Sequence, residues 1–185
     1  MSRILFASSN KNKFEEARGI LAKFGISLKF FKSSLQEIQA DTLEEVAFHK
    51  ALDAFSRCSK PVMIEDDGLF IKSLNGFPGP YSSFALKTIG NEGILKLVKS
   101  KRSATFQSVI AYCEKKDDVQ LFKAEVIGKI SQKQTGKKWG YDPIFIPENQ
   151  TKTYAQLEKN LVSHRYLALK KFANWYLHKQ ELNDR

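Results

Sequence analysis

Three adjacent carboxylates are the residues of this chain best suited to do chemistry. Glu65, Asp66 and Asp67 directly follow a short apolar run, residues 62–64, that predicts a buried strand. Adjacent acids at a strand end repel one another, so a cation should compensate them. Mg²⁺ bound to phosphate fits that role, because it takes one or two carboxylates together with substrate oxygens. The alternative is a solvated acidic turn made at Gly68, and the three acids alone do not decide between the two.

A small polar turn near the N-terminus is the second group of interest. It follows a strand-like run and precedes a predicted helix, so backbone N–H groups and the positive end of the helix dipole would face it. Such a turn can hold a phosphate tail, but ordinary helix capping by Ser9 or Asn10 is the simpler interpretation and is preferred on the residues alone. The turn contains no glycine, so it is neither a Walker loop nor a dinucleotide fingerprint. Its members are Ser8, Ser9, Asn10, Lys11, Asn12 and Lys13.

Glu37 lies in a loop between a predicted strand and a predicted helix. A single loop carboxylate is usually solvated, but Glu37 would gain a function as a second metal ligand beside Asp66. Glu45 competes for that function. A capping box formed by Thr42 and Glu45 already explains Glu45, however.

Two aromatic residues flank a glycine just before an Asp-Pro turn that begins at Asp142. Trp139 or Tyr141 could stack on a nucleobase, a contact that contributes about 1–3 kcal/mol in other proteins. Aromatic residues beside Gly140 and a proline also often pack a turn. Both interpretations stay open on these residues alone.

The start of the last predicted helix carries two potential cations. Ser163 would cap the helix, with His164 and Arg165 in its first turn. Cations are disfavoured at the positive end of a helix unless an anion or an acceptor lies there. Their N–H groups can donate to a carbonyl oxygen of a base or to phosphate. We therefore prefer a binding function to a surface arginine beside a packed histidine.

Alternating strand and helix patterns must position these groups. The sequence predicts helices over 11–24, 42–55, 91–99 and 163–177, strands over 4–7, 27–31, 61–64 and 144–146, and a long antiparallel hairpin of 105–113 and 119–130 turned at 115–118. Early parallel crossovers followed by a hairpin predict an α/β fold with a mixed sheet, which could form two lobes. A length of 185 residues predicts a single domain, residues 1–185.

The composition narrows the class of protein. Thirty Lys and Arg against twenty Asp and Glu give a net charge of +10, which favours anionic partners such as nucleic acid or free nucleotides. The lysines are scattered, and the basic helix or arm of many nucleic-acid-binding proteins is missing, so most of the excess should be solvated surface. No stretch approaches the roughly 18 apolar residues of a membrane span, and residues 4–6 are too short for a secretory signal. Cys58 and Cys113, far apart, predict reduced core thiols in the cytoplasm.

Together, these groups resemble the inosine/xanthosine triphosphate pyrophosphatases, the Ham-type house-cleaning enzymes for non-standard purine nucleotides. The resemblance covers nearly the whole chain, and four motifs occur in the expected order and spacing. They are Ser8-x-Asn10-x-x-Lys13-x-x-Glu16, Glu65-Asp66-Asp67-Gly68-Leu69 with Asn75-Gly76-x-Pro78-Gly79-x-Tyr81-Ser82, Gly140-Tyr141-Asp142-Pro143-Ile144-Phe145, and Lys159-Asn160-x-x-Ser163-His164-Arg165-x-x-Ala168-Leu169.

The resemblance implies a Mg²⁺-dependent hydrolase. Such an enzyme cuts ITP, dITP and XTP between the α- and β-phosphates and releases a monophosphate and pyrophosphate. The implied fold is an elongated α/β protein of the Maf/Ham type, with a mixed twisted sheet, flanking helices and two lobes around a central cleft that holds the site. The expected protein is a cytoplasmic homodimer that binds nucleoside triphosphates, with no membrane and no stable nucleic-acid partner.

By similarity, the motif residues divide into three sets. Residues 8–13 would hold the triphosphate, while Glu37 and Asp66 would bind Mg²⁺ and Asp66 would also activate the attacking water. The purine would stack on Trp139. Protein N–H groups placed to donate to the 6-oxo group of a base would face the amino group of adenine instead. They would find no acceptor there, which disfavours ATP. The pocket would also include Asp67, Gly140, Tyr141 and Asp142, and the 6-keto edge of the base would be read by Lys159, His164 and Arg165.

Three positions depart from the family pattern. Asp67 stands where Ser or Thr is more usual, and its charge could strengthen Mg²⁺ binding or weaken phosphate binding. Val46 replaces a common Asn, and the segment between Tyr154 and Lys159 is shorter than usual.

Two other classes of protein stay open at this stage. A Maf-like pyrophosphatase for pyrimidine nucleotides should lack both the 163–165 helix start and the 140–143 turn. A nucleic-acid-binding module is suggested only by the net charge of +10.

Overall fold

A computed structural model of the chain describes residues 4–157 and 163–183, and within these ranges it forms six strands, five α-helices and three short 3-10 helices. The strands are β1 (Ile4–Ser8), β2 (Leu28–Lys32), β3 (Val62–Ile71), β4 (Ser103–Lys115), β5 (Asp118–Ile130) and β6 (Phe145–Pro147). The α-helices are α1 (Lys11–Ala22), α2 (Leu43–Cys58), α3 (Ser82–Thr88), α4 (Gly90–Leu97) and α5 (His164–Asn183).

All six strands belong to one mixed sheet in the order β2-β1-β3-β4-β5-β6. β1 pairs in parallel with β2 and with β3, whereas β5 and β6 are antiparallel. The connections agree with these directions. α1 and α2 each return the chain to a parallel neighbour, and only two residues join β4 to β5, which requires an antiparallel pair. The predicted α/β fold with a mixed sheet is confirmed.

The chain divides into two compact units, each with its own hydrophobic core. The first comprises the described residues up to Asp66, Ser108–Ala124, and those from Arg165 onward. Side chains of β1, α1 and α5 fill its core, among them Phe6, Leu21 and Phe172. The second comprises the described residues of Asp67–Gln107 and Glu125–His164, with a core that includes Leu69, Ile94, Phe106 and Phe145. The single-domain assignment stays a prediction.

Local capping explains where the first two long helices begin. Asn10 precedes α1, and its side-chain oxygen accepts hydrogen bonds from the backbone N–H groups of Asn12 and Lys13. The predicted capping box of Thr42 and Glu45 is present at the start of α2. The helices α2 and α5 extend beyond their predicted ends, to Cys58 and Asn183.

The predicted end of β3 at residue 64 and the turn at Gly68 are wrong. The strand continues through all three acids to Ile71. Gly68 provides clearance for its neighbour instead, because a Cβ atom there would lie 2.5 Å from the carbonyl oxygen of Gly79. Since side chains alternate along a strand, Asp66 points to the opposite face from Glu65 and Asp67.

The predicted core thiols agree with the structure in part. Both cysteines are free; Cys113 is buried and Cys58 is half-buried. Burial, with a smaller contribution from the charge of Asp118, raises the pKa of Cys113 to about 11, although a hydrogen bond to Lys115 opposes this. The thiol is therefore protonated and unreactive at neutral pH. Among the described residues, no helix is long and apolar enough to cross a membrane.

Candidate active site

Lys50 of α2 joins the two carboxylates predicted to bind metal. Its Nζ lies 2.6 Å from Oε1 of Glu37 and 2.9 Å from Oδ2 of Asp66. The side chains of Lys50 and Asp66 are 14% and 10% exposed, whereas that of Glu37 is 56% exposed. The carboxylates of a loop residue and a strand residue therefore meet at the same ammonium group. A divalent cation bound by both acids would need the same convergence.

A buried charge network lies next to Asp66 along the chain. The Nε of Arg165 donates to both carboxylate oxygens of Glu65, at 2.7 and 2.8 Å, and its Nη1 contacts Glu16 of α1. Glu65 also accepts a hydrogen bond from the Ser108 hydroxyl at 3.0 Å. Arg165 and Glu65 are almost fully buried. This network compensates one acid of the triplet within the first unit.

The predicted phosphate turn lies between β1 and the first turn of α1. The Ser8 hydroxyl accepts a hydrogen bond from the backbone N–H of Asn10 at 3.0 Å, so the turn is held by its own side chains. Asn10 caps α1, as the simpler interpretation expected. Lys13 extends from the first turn of α1 toward β3, with its Nζ 3.5 Å from the Glu65 carbonyl oxygen. The remaining members, Ser9, Lys11 and Asn12, form the rest of this turn and helix start.

The aromatic turn belongs to the second unit and is fixed at several points. The Tyr141 hydroxyl donates to the Ser82 carbonyl at 2.8 Å, and the side-chain amide of Asn91 donates to the Gly140 carbonyl at 3.0 Å. Gly140 has φ +68°, which only glycine adopts readily. Tyr141 and Asp142 are buried, and Trp139 is half-buried. Burial and then the charge of Asp67 raise the pKa of Tyr141, so its hydroxyl stays a donor at neutral pH.

His164 is enclosed by the second unit. Its ring stacks on Phe106 with centroids 3.9 Å apart and an angle of 17° between the planes. Its Nε2 lies 3.8 Å from Oδ2 of Asp67. The acid that departs from the family pattern therefore lies beside one of the residues predicted to read the base. Lys159, the third such residue, lies outside the described residues.

Several residues of these groups were not predicted, and one left a detectable signal. Lys50 was counted among the scattered surface lysines, yet it follows Val46 and precedes Ala54 at intervals of four residues, in the buried row of α2. A lysine in an apolar row needs a compensating acid. The packing of Phe106 on His164 and the bond from Asn91 to Gly140 join distant parts of the chain and left no local signal.

In residues 4–157 and 163–183, no group of three or more His, Cys, Asp or Glu side chains is placed to hold a metal ion. A metal enclosed entirely by protein ligands is therefore not built into the described part of the chain. Magnesium in phosphate-transfer sites does not require such a cage, since substrate phosphates and water supply most of its ligands.

Comparison of this chain with known proteins supports the family that its motifs resemble. The model of the Ham1 family matches residues 4–175. A dITP/XTP pyrophosphatase of Methanopyrus kandleri is 46% identical over 180 residues, which cover 94% of this chain and 96% of the relative. A dITP/XTP pyrophosphatase of Thermococcus kodakarensis is 46% identical over 179 residues, with the same coverage of 94% and 96%. The solved structure of a HAM1 protein from Coxiella burnetii has a TM-score of 0.82 at 29% identity and covers 96% of this chain and 100% of that one. The chain belongs to the Ham1 family.

Proposed function

We propose that this protein is a nucleoside triphosphate pyrophosphatase that removes ITP, dITP and XTP from the nucleotide pool. It hydrolyses each to the monophosphate and pyrophosphate. The observation that carries the proposal is the high identity, over nearly the whole chain, to proteins named dITP/XTP pyrophosphatase. The convergence of Glu37, Lys50 and Asp66 adds a chemical centre suited to that reaction.

The donor set of this centre fits Mg²⁺. Glu37 and Asp66 supply carboxylate oxygens, the ligands this hard cation prefers, and both oxygens lie within hydrogen-bonding distance of the Lys50 ammonium. Bound there, Mg²⁺ would neutralise phosphate charge as the bond between the α- and β-phosphates breaks. Glu37 and Asp66 are the residues that would hold it.

Asp66 is also the residue we assign to water activation. Its carboxylate is mostly buried and retains Lys50 as a cationic partner. A carboxylate so placed can accept the proton of the attacking water while the pyrophosphate leaves. Lys50 would then balance the charge of the acids during the step.

The triphosphate would be bound by residues 8–13. The start of α1 provides backbone N–H groups and the positive end of a helix dipole, and Lys13 adds a full charge. Asn10 already occupies two of the first N–H groups. The Lys13 side chain is therefore the strongest phosphate ligand that we assign to this turn.

The base would stack on Trp139 and be read by donors of residues 159, 164 and 165. Tyr141, Asp142 and Asp67 would line the same pocket, with Gly140 allowing the turn. Donors facing the 6-oxo group of hypoxanthine or xanthine would be left unpaired against the amino group of adenine, which disfavours ATP. Guanine shares the 6-oxo group, so these donors alone do not exclude GTP.

Membership of the Ham1 family argues against the Maf-like alternative, and it removes the main reason to interpret the charge as a nucleic-acid surface. A homodimer and a cytoplasmic location are further parts of this proposal, supported by the family resemblance alone.

The direct test is a screen of pyrophosphate release across nucleoside triphosphates, with and without Mg²⁺. We expect release from ITP, dITP and XTP well above release from ATP, and its loss when Mg²⁺ is removed with a chelator. Equal release from all purine and pyrimidine nucleotides would contradict the base specificity. Activity that survives chelation would contradict the Mg²⁺ requirement.

A further inference from the structure

The loop that carries Glu37 has no regular secondary structure of its own. Residues 33–40 lie between β2 and α2 and belong to neither a strand nor a helix. Backbone N–H and C=O groups in such a loop must find partners elsewhere. The N–H of Ser33 bonds to the Ser8 carbonyl of β1 at 3.3 Å, and the conformation nearer Glu37 depends on side chains that reach the loop.

Two side chains of α2 provide bonds to the residues just before Glu37. Oδ2 of Asp53 accepts a hydrogen bond from the backbone N–H of Gln36 at 2.9 Å. Nη1 of Arg57 donates to the backbone carbonyl of Ser34 at 3.0 Å and to the Ser33 hydroxyl at 3.4 Å. The loop is thus bonded to α2 at residues 33, 34 and 36, the last of which is the residue before Glu37.

Asp53 and Arg57 also fix each other. Nε of Arg57 lies 2.8 Å from Oδ1 of Asp53, and Nη2 lies 2.8 Å from Oδ2, in a two-pronged pair one helical turn apart. Partial burial raises the pKa of Asp53. Hydrogen bonds from Arg57 and Gln36, together with the charge of Arg57, lower it by more, so the pKa lies below its ordinary value. Asp53 is therefore ionised at neutral pH and keeps both partners.

The same face of α2 also holds the Glu37 side chain. Residues 50, 53 and 57 follow a spacing of three and four, which places them on one side of a helix. Lys50 binds Oε1 of Glu37, while Asp53 and Arg57 bind the backbone before it. One rigid element thus sets both the position of the loop and the direction of its carboxylate.

We infer that Asp53 and Arg57 are positioning residues for Glu37 as a metal ligand, an inference that rests on the proposed function. Neither is proposed to contact metal or substrate. They hold the loop in the conformation that directs the Glu37 carboxylate toward the proposed metal position. The loop is therefore already ordered before the cation binds. Without them, metal binding would have to order the loop, which lowers metal affinity more than it lowers the rate at saturating metal.

The test compares Asp53→Asn and Arg57→Gln with the wild-type protein in pyrophosphate release from ITP, as Mg²⁺ is varied. We expect the Mg²⁺ concentration for half-maximal rate to rise about tenfold, the lower end of the effect of substituting groups that orient a metal ligand. The rate at saturating Mg²⁺ should change far less. The double variant should need little more Mg²⁺ for its half-maximal rate than either single variant does, because the two residues act as one unit.

Two further measurements do not depend on turnover. Binding of Mn²⁺, followed by electron paramagnetic resonance without nucleotide, should weaken in both variants. Amide hydrogen exchange should lose protection at Gln36 in Asp53→Ala, which removes the acceptor oxygen altogether. Circular dichroism and thermal unfolding would show that both variants fold, as expected for partly exposed positions on α2.

Matched controls come from an exposed ion pair on α1. Arg18 and Glu15 are 2.6 Å apart and three residues apart in the helix, so Glu15→Gln and Arg18→Gln make the same chemical changes away from the loop. They should leave the Mg²⁺ dependence unchanged. If folded Asp53 and Arg57 variants match these controls in Mg²⁺ dependence and Mn²⁺ binding, the inference is wrong. If the wild-type protein releases no pyrophosphate from ITP, the proposed function fails, and that result is distinct from the first.

Discussion

The guanidinium of Arg165 and the carboxylate of Glu65 form a buried ion pair in which one nitrogen, Nε, lies 2.7 and 2.8 Å from the two acid oxygens. The side chains are 2% and 0% exposed. Glu16 contacts Nη1 of the same guanidinium. Any contact that Arg165 makes with a base would therefore come from a group whose orientation two acids already fix.

Glu65→Gln should destabilise the protein strongly. The change leaves the buried Arg165 without its main counter-charge, and breaking such a pair typically costs about 3–5 kcal/mol. Urea unfolding at neutral pH measures the loss. The control is Glu44→Gln, which breaks a partly exposed pair with Lys123 at 2.7 Å and should cost less than about 1 kcal/mol. Equal losses would show that the buried pair contributes no special stability.

Asp66→Asn should abolish most activity while the fold survives. The amide cannot accept the proton of water and is a poor Mg²⁺ ligand, so turnover should fall by about 10²–10⁴-fold or more. Lys50 keeps Glu37 as a partner, so thermal unfolding should change little. Asp117→Asn, in the turn between β4 and β5, is the control. Near-normal pyrophosphate release from Asp66→Asn would remove the assigned base.

Lys50→Gln should reduce the Mg²⁺ requirement, because the positive charge that it removes outweighs the lost bond to Glu37, whose loop Asp53 and Arg57 still hold. The ammonium lies between the two proposed metal ligands and opposes a second cation there. A unit charge about 4 Å from a doubly charged ion in water costs roughly 2 kcal/mol, so its removal should raise the affinity for Mg²⁺ about 30-fold. A Mg²⁺ titration at fixed ITP measures it, with Lys123→Gln as a control for net charge. A higher requirement would mean that Lys50 helps to assemble the site.

Trp139→Ala should lower kcat/KM for ITP, because the base of the substrate would lose the ring on which it stacks. Loss of one stacking contact worth about 1–3 kcal/mol corresponds to a fall in kcat/KM for ITP of roughly 5- to 150-fold. Trp139→Phe keeps a flat ring and should retain most of the activity. If the alanine and phenylalanine variants are equally active, Trp139 only packs its turn.

Tyr141→Phe should show a stability difference that depends on pH. At pH 8 the variant should be about 1 kcal/mol less stable, because the Ser82 carbonyl loses its buried donor. The pKa of Tyr141 is raised above its ordinary value of 10.0 by burial and the charge of Asp67. The unfolded tyrosine therefore loses its proton before the folded one, and the wild-type advantage shrinks above about pH 10. Urea unfolding from pH 8 to 11 tests this; a constant difference would contradict it.

Local signals predicted much of the fold. The capping box at Thr42 and the apolar period of α2 depend on residues within a few positions, and both are confirmed. The short helix α3 was missed because no side chain caps its start and it spans only Ser82–Thr88. The end of β3 was misplaced because the apolar run that predicted the strand stops at Ile64, where the three acids begin. Their compensation comes from far along the chain, since the Arg165 that pairs with Glu65 is 100 residues away.

The motifs predicted which residues belong to the candidate site, but they did not predict the contacts among those residues. Similarity suggested Glu37 and Asp66 as metal ligands, which stays a prediction, whereas Lys50, whose ammonium contacts both, was treated as a surface lysine. The sequence placed Asp67 and His164 in one pocket only through the family, and the structure brings them within 3.8 Å. Pairings of this kind depend on how strands and helices meet, which one sequence does not encode locally.

The row formed by Lys50, Asp53 and Arg57 requires α2 to keep one rotation about its own axis. One residue added within the helix before Lys50 would turn everything after it by about 100° and aim these side chains away from the loop. The two-residue connection between β4 and β5 carries no such constraint. Homologues should therefore vary in length at that hairpin and in sequence along α2, but they should not gain or lose single residues between the cap at Thr42 and Arg57.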